Sequence, residues 1–88
     1  MTADIEQIKK KIIYRSNYRG TKEMDKLLGS FTKKYIEILS LNDLKDLEKL
    51  LDIDDTNLYN YYNGLDYDIE FKKNNITSLF KDFKYIDE

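Results

Sequence analysis

The side chains with the widest chemical scope in this 88-residue sequence are its 17 carboxylates, because it contains neither cysteine nor histidine. The absence of both excludes disulfides, thiolate zinc sites, cysteine nucleophiles and the commonest general base. Carboxylates can hold a hard cation such as Mg²⁺, but no segment has the spacing of an EF-hand loop. Asp54 and Asp55 are adjacent, and such a pair is typical of a helix cap rather than of catalysis. The sequence therefore predicts no catalytic, cofactor-binding or metal-binding residues.

The two arginines lie within five residues of each other, whereas the other 13 basic residues are lysines spread along the chain. A guanidinium is planar and carries several fixed donors, so an arginine in a lysine-rich chain indicates a position that needs this geometry. Arg15 and Arg19 thus direct attention to one short segment.

This segment has the pattern of a link between two helices. Gly20 is expected to end the first helix in a left-handed conformation, and Thr21 to cap the second. Glu23 and Asp25 would then lie in the first turn of the second helix, where the helix dipole favours negative charge. On spacing alone, this purely structural interpretation of the link is the simplest.

The elements around the link are predicted from hydrophobic residues that recur at i, i+3, i+4 and i+7. This spacing predicts a first helix over residues 4–17 and a second over 21–38. Ser40 has the position of a cap for a third helix, with Asp43 at the capping-box position.

A short fourth helix is expected to stop at Asn63 and Gly64, and Asp66 or Asp68 to cap a fifth. The sequence therefore predicts an all-α fold, a compact bundle of about five short helices in one domain over residues 1–88, with the last few residues frayed. Eight apolar residues on the inner stripes are expected to be buried: Leu27, Leu28, Phe31, Leu47, Leu51, Leu58, Leu79 and Phe80.

The link resembles the hallmark of the SdhE family, the bacterial and mitochondrial flavinylation factors of succinate dehydrogenase. The family has an Arg-Gly-x-x-Glu motif at the start of its second helix, and residues 19–23 match it. Residues 12–16 are similar to the end of the family's first helix. Residues 23–31 match its E-x-D-x-L-L-G-x-F continuation. Together with the element described next, the resemblance covers about residues 8–64.

A later family element, D-x-D-L-Y-x-W-x-x-G, is matched in part. Four positions agree: Asp55, Leu58, Tyr59 and Gly64. The family's second Asp is Asn57 here, and its Trp is Tyr61. The family often has more arginine before the motif, where this chain has Asn17 and Tyr18.

The resemblance implies an assembly factor, not an enzyme, that binds the flavoprotein subunit of succinate dehydrogenase and promotes covalent attachment of FAD to a histidine of that subunit. FAD is then handled by the partner, and no cofactor is held permanently. The flavoprotein subunit of fumarate reductase is a further client that the sequence leaves open. Eight residues are predicted to bind the partner: Arg15, Tyr18, Arg19, Gly20, Glu23, Asp25, Asp55 and Tyr59.

Within that set, each motif residue has an expected role. Arg19 would donate hydrogen bonds to partner carbonyls or carboxylates, and Gly20 would let a partner backbone approach. Glu23 would accept from partner donors or pair internally with Arg15 or Arg19. Tyr18 and Tyr59 would supply contact area, although partial core burial is equally open for Tyr59.

Charge is distributed unevenly along the chain. Residues 1–35 contain nine Lys or Arg and four acids, a net charge of +5, whereas residues 36–70 have two and ten, a net charge of −8. A basic half can indicate nucleic-acid binding, but the acidic half would repel phosphate, so no nucleic acid is expected. A generic helical adaptor with an unrelated partner is the alternative function.

No apolar run reaches the length of a membrane span, so no direct membrane insertion is expected. The acidic start has no apolar signal core. The expectation is a bacterial cytoplasmic protein that is a monomer when free.

Overall fold

Five α-helices are present in the computed structural model, which describes the backbone of residues 2–84 and the side chains of residues 4–84. In chain order, the helices are α1 (Thr2–Asn17), α2 (Lys22–Tyr35), α3 (Leu41–Leu51), α4 (Asp55–Tyr62) and α5 (Asn75–Asp82). No strand occurs within the described residues. The predicted all-α fold is confirmed, and the expected fraying of the last few residues falls largely outside the described part.

Side-chain caps fix where four of the helices begin. Thr21 accepts a hydrogen bond from the Met24 amide at the start of α2, and Ser40 accepts one from the Asp43 amide at the start of α3, both at 3.2 Å. Asp54 caps α4 in the same way. Each cap satisfies an amide that has no partner within its own helix. The caps predicted at Thr21 and Ser40 are therefore confirmed.

One apolar core joins the helices. α1 packs on α2 and α3, and α5 packs on α3 and α4. Phe31 lies at its centre, with the rings of Phe80 and Phe83 each 5.4 Å away in edge-to-face contact. Seven of the eight residues predicted to be buried are buried, while Leu79 is only partly buried against this core.

A buried pair of hydroxyl groups also connects α1 to α2. Ser16 donates to the carbonyl of Ile12 at 2.7 Å, so its hydroxyl hydrogen is used within α1. Thr32 lies 2.6 Å away and donates to the Ser16 oxygen. Both side chains are buried, and this pairing satisfies them without water.

The predicted start of the fifth helix is wrong. Residues 65–73 are not helical, and the cap is Asn74 rather than Asp66 or Asp68. Asn74 accepts from the Thr77 amide at 2.8 Å, and the Thr77 hydroxyl accepts from the Asn74 amide at 3.0 Å, so each satisfies the other. Apolar residues between 65 and 71 alternate with acids, which places them on no single helical face.

Two glycine predictions have different outcomes. Gly64 has φ of 72° just after α4, which confirms it as a helix stop. Gly20 does not have positive φ, so the predicted left-handed conformation there is wrong.

The second helix also ends at Tyr35 rather than at residue 38, since a turn follows it.

The Arg-Gly-x-x-Glu link as a candidate partner-binding site

The guanidinium of Arg19 is held inside the protein. Its Nε donates to Oδ1 of Asp55 at 2.8 Å, and its two terminal nitrogens donate to the carbonyls of Leu51 and Ile53, each at 2.7 Å. Carbonyls at a helix C-terminus have no partner within the helix, and the fork of donors satisfies that of Leu51 at the end of α3 together with that of Ile53 in the α3–α4 connection. With 10% of its side chain exposed, Arg19 has little surface left for a partner.

The expected role of Arg19 is therefore corrected. These donors do bind carbonyls and a carboxylate, as the residue type indicated, but the acceptors belong to the same chain. They lie 32 to 36 residues further along, in α3, the α3–α4 connection and the first residue of α4. We call this set of bonds the Arg19 clamp; it ties the α1–α2 link to the α3–α4 connection.

Two carboxylates predicted to meet the partner complete the clamp instead. The second oxygen of Asp55, Oδ2, accepts from the Gly20 amide at 2.8 Å. Asp25 accepts a hydrogen bond from the Arg19 amide. Both ends of the Asp55 carboxylate are thus used within the chain, and only 22% of that side chain is exposed. Asp25 and Asp55 position the link rather than present free acceptors.

Gly20 is required for close approach within the chain. A Cβ atom built there would lie 2.8 Å from Oδ2 of Asp55, closer than such atoms approach in real structures. The space expected for a partner backbone is therefore taken, on this side of the glycine, by the chain's own carboxylate. A close approach at Gly20 was expected, and the group that approaches it in the structure is the Asp55 carboxylate of the clamp.

Arg15 makes a more exposed contact. Its Nη2 lies 2.5 Å from Oδ1 of Asp52, with 31% and 70% of the two side chains exposed. Neither arginine pairs with Glu23, so the internal pairing considered for that residue does not occur. Arg15, in the last turn of α1, is therefore paired with the C-cap residue of α3 rather than offering a free guanidinium.

The side chains that do face outward are Tyr18, Glu23 and Tyr59. Tyr18 is 69% exposed and Tyr59 37% exposed, and Glu23 is also exposed. Within the described residues, Glu23 has no hydrogen-bond or ion-pair partner. These three residues have the accessibility that partner binding requires.

A shallow groove of about 240 Å³ lies beside Glu23 and Tyr59. The buried Met24 contributes an apolar lining, and Thr21, Asp55 and Thr56 complete the groove. Met24 and Thr56 were not predicted as site residues. Thr56 lies three residues before Tyr59, and this helical spacing is the one signal that could have found it.

The departures from the family pattern are accommodated locally. Asn57 donates to Asp54 at 2.7 Å, and this bond is the main reason that the pKa of Asp54 lies below its ordinary value. Asn57 also accepts from the Asp68 amide at 2.9 Å, an acceptor role that an aspartate could equally fill. Tyr61 stacks on Phe71 with ring centroids 4.0 Å apart, so a large ring is kept at the family's tryptophan position.

The described residues contain neither a metal-binding cluster nor a membrane-spanning helix. No cluster of three or more acidic side chains there could hold a metal ion. No helix in that part of the chain is long and apolar enough to cross a membrane.

Fold and site together define a small helical protein that presents a rigidly positioned Arg-Gly-x-x-Glu link. Comparison with known families identifies it more closely, since residues 10–84 match the family described as "Flavinator of succinate dehydrogenase". The chain belongs to this family, as its sequence motifs predicted. It is a family of assembly factors rather than of enzymes.

Individual relatives agree with this assignment. The mitochondrial succinate dehydrogenase assembly factor 2 of Dictyostelium discoideum is 39% identical over 59 residues, covering 67% of this chain and 42% of that protein. The protein of the same name from Meyerozyma guilliermondii is 36% identical over 69 residues, covering 77% and 50%. The FAD assembly factor SdhE of Acetobacter pasteurianus is 30% identical over 56 residues, covering 64% and 51%.

The matched region thus spans about half or less of the length of these three relatives. No solved structure matches the chain.

Proposed function

We propose that this chain binds the flavoprotein subunit of succinate dehydrogenase and promotes the covalent attachment of FAD to it. The observation that carries the proposal is that the family match, residues 10–84, contains the whole link and every residue of the Arg19 clamp. The action is that of an assembly factor in the bacterial cytoplasm. The partner supplies the histidine and binds the FAD.

The clamp supports this function by fixing what the link presents. Donors of Arg19 and both oxygens of Asp55 connect the link to the end of α3 and the start of α4, so Glu23 and Tyr59 keep a constant relation to each other. A surface that is rigid before binding loses little conformational entropy when it binds. The link is therefore suited to recognising one particular arrangement of a partner.

Binding energy is what the chain would contribute to flavinylation. A factor that binds one arrangement of the flavoprotein more tightly than the others raises the population of that arrangement. If flavin and histidine lie in attack geometry there, the reaction accelerates without any reacting group from this chain. This mechanism needs neither histidine nor cysteine, and the chain has neither.

Glu23 offers the sharpest test of the surface, because it is exposed and makes no contact that holds the fold together. We expect Glu23→Ala to weaken flavoprotein binding about tenfold or more, since a hydrogen bond to a charged group contributes about 1.5–3 kcal/mol. The measurement is co-purification of the flavoprotein subunit from the native cell on the tagged full chain, quantified against wild type.

Glu70→Ala is the matched control, because Glu70 is an exposed glutamate in the non-helical segment before α5, outside α1, α2 and the link. Both variants should melt within a few degrees of wild type, since Glu23 contributes to the fold only through its favourable position at the N-terminal end of α2. Capture of the flavoprotein at wild-type level by Glu23→Ala would refute the proposed surface, and a wild-type chain that captures no flavoprotein would refute the proposed function.

A further inference from the structure

The cations around the link divide into two groups of three. Residues 7–22 contain six Lys or Arg and no acid. Three of them make ion pairs with the rest of the chain: Lys9 with Glu37, Arg15 with Asp52 and Arg19 with Asp55. Within the described residues, the other three, Lys10, Lys11 and Lys22, form no ion pair.

Two of the unpaired lysines share a face of α1 with the exposed Tyr14, and the exposed Tyr18 adjoins that face. Lys10 and Lys11 precede Tyr14 by four and three residues, which places these three on one side of the helix. Tyr18 lies just beyond the end of α1, and its ring contacts that of Tyr14. The opposite side carries the buried Ile12 and Ser16. We call Lys10, Lys11, Tyr14 and Tyr18 the cation–tyrosine face.

Both tyrosines are unusually open for aromatic residues. Tyr14 is 64% exposed and Tyr18 69%, and their rings contact each other with centroids 4.6 Å apart. Two adjoining rings present a continuous apolar area with hydroxyl groups at its edge, the kind of area that anchors protein interfaces. Neither ring contributes to the core, so the fold does not explain their presence.

We propose that the cation–tyrosine face is a second docking surface, which binds a carboxylate-bearing surface of the same flavoprotein subunit. This inference rests on the proposed function. Charge complementarity argues for the occupant, because lysines without internal counter-ions attract acidic side chains, while the tyrosine pair covers apolar area between them. Tyr18 lies only two residues before Gly20, so the face adjoins the link that carries Glu23.

Glu23 and the Lys10–Lys11 pair have opposite charge, which gives docking a direction. Glu23 requires donors on the partner, whereas Lys10 and Lys11 require acceptors. A flavoprotein surface with the reciprocal order fits in one orientation, and the reversed orientation brings like charges together.

The test compares association kinetics of the flavoprotein subunit, purified without covalent flavin, with variants of the full chain. We expect Lys10→Glu/Lys11→Glu to lower the association rate about tenfold at low salt, because long-range attraction governs encounter. That difference should shrink to less than about twofold at roughly 0.5 M NaCl, where charges are screened within a few ångströms. Tyr14→Ser/Tyr18→Ser should instead raise the dissociation rate about tenfold at either salt concentration.

Lys72→Glu/Lys73→Glu is the matched control, since these adjacent lysines are exposed and lie in the non-helical segment before α5. It carries the same change of charge and should alter the association rate less than about twofold. All variants are first melted, and only those within a few degrees of wild type are compared. If Lys10→Glu/Lys11→Glu fails this criterion, Lys10→Gln/Lys11→Gln replaces it with about half the kinetic effect on a logarithmic scale.

Wild-type kinetics for both double variants, while wild type itself binds, would overturn this inference and leave the proposed function intact. An equal loss in the Lys72→Glu/Lys73→Glu control would also overturn it, because only net charge would then matter. A lysine effect confined to binding of a duplex DNA probe, with flavoprotein binding unchanged, would assign the face to nucleic acid instead. Absence of any flavoprotein binding by wild type would refute the proposed function itself.

Discussion

The Asp55 side chain joins two parts of the site, because each of its oxygens accepts from a different residue of the motif. One oxygen accepts from the Arg19 side chain and the other from the Gly20 amide, both at 2.8 Å. The motif and the later family element, which these bonds join across 35 and 36 residues of sequence, are thus two halves of one hydrogen-bonded unit. Their joint occurrence has a physical reason, because the loss of either element would leave polar groups of the other without hydrogen-bond partners.

Removing the centre of this unit should destabilise the fold. We expect Arg19→Ala to lower the free energy of unfolding by about 3 kcal/mol, because it leaves a partly buried carboxylate and the carbonyls of Leu51 and Ile53 without their donors. Chemical denaturation of both proteins measures the difference. Arg15→Ala is the control, and its exposed pair with Asp52 should contribute less than about 1 kcal/mol.

Equal effects of the two arginine variants would contradict the assignment of Arg19 as a clamp. Gly20→Ala should act in the same direction as Arg19→Ala, since its Cβ would displace the Asp55 carboxylate. A substitution at Gly20 therefore disturbs folding and binding together. Glu23, which holds nothing in place, separates the two.

At the scale of elements, residue patterns predicted most of what is observed. Apolar stripes located the first four helices, because each stripe needs a face of core to cover it. The Arg pair located the link, because a guanidinium is an unusual choice in a lysine-rich chain. That the Arg19 side chain points into its own chain was not predictable in the same way. Two of its acceptors are backbone carbonyls, which every residue has, so no residue type in the sequence indicates them.

The predicted start of α5 was wrong because contacts made after folding contribute to the choice of cap. Asp66 and Asp68 are good capping residues by type, but the apolar residues around them alternate with acids and lie on no single helical face. The choice is made by the reciprocal bonds between Asn74 and Thr77 and by the core, which takes Ile76 and Phe80 from the helix that follows. Local pairing with Thr77 and tertiary packing together thus place the cap at Asn74.

This correction can be tested by stability measurements. Asn74→Ala should lower the free energy of unfolding by about 1 kcal/mol, the usual contribution of an N-cap. Asp66→Ala is the control and should change it by less than about 0.5 kcal/mol, as expected for an exposed residue outside the helix. Thermal or urea unfolding of the two variants measures both effects. A larger loss of stability in Asp66→Ala than in Asn74→Ala would contradict Asn74 as the cap and support the position predicted from the sequence.

For the whole molecule, the uneven charge along the chain has a structural explanation. Each of the three ion pairs in the described part joins a cation from residues 1–35 to an acid from residues 36–70. The two more exposed pairs, those of Lys9 and Arg15, contribute little stability individually, so their main effect is to favour the alignment of the basic first half on the acidic middle. Part of the asymmetry is therefore used within the fold, and another part, Lys10 and Lys11 on the outer face of α1, is available to a partner.

The account as a whole predicts that this chain accelerates a reaction in which none of its own groups takes part. Reconstitution tests this most directly: the purified flavoprotein subunit without covalent flavin is mixed with FAD, with and without the full chain, and covalent flavin is followed by in-gel fluorescence. We expect wild type to accelerate its appearance and Glu23→Ala, though equally folded, to accelerate it much less. Covalent flavin that appears at the same rate with and without the chain would contradict the account.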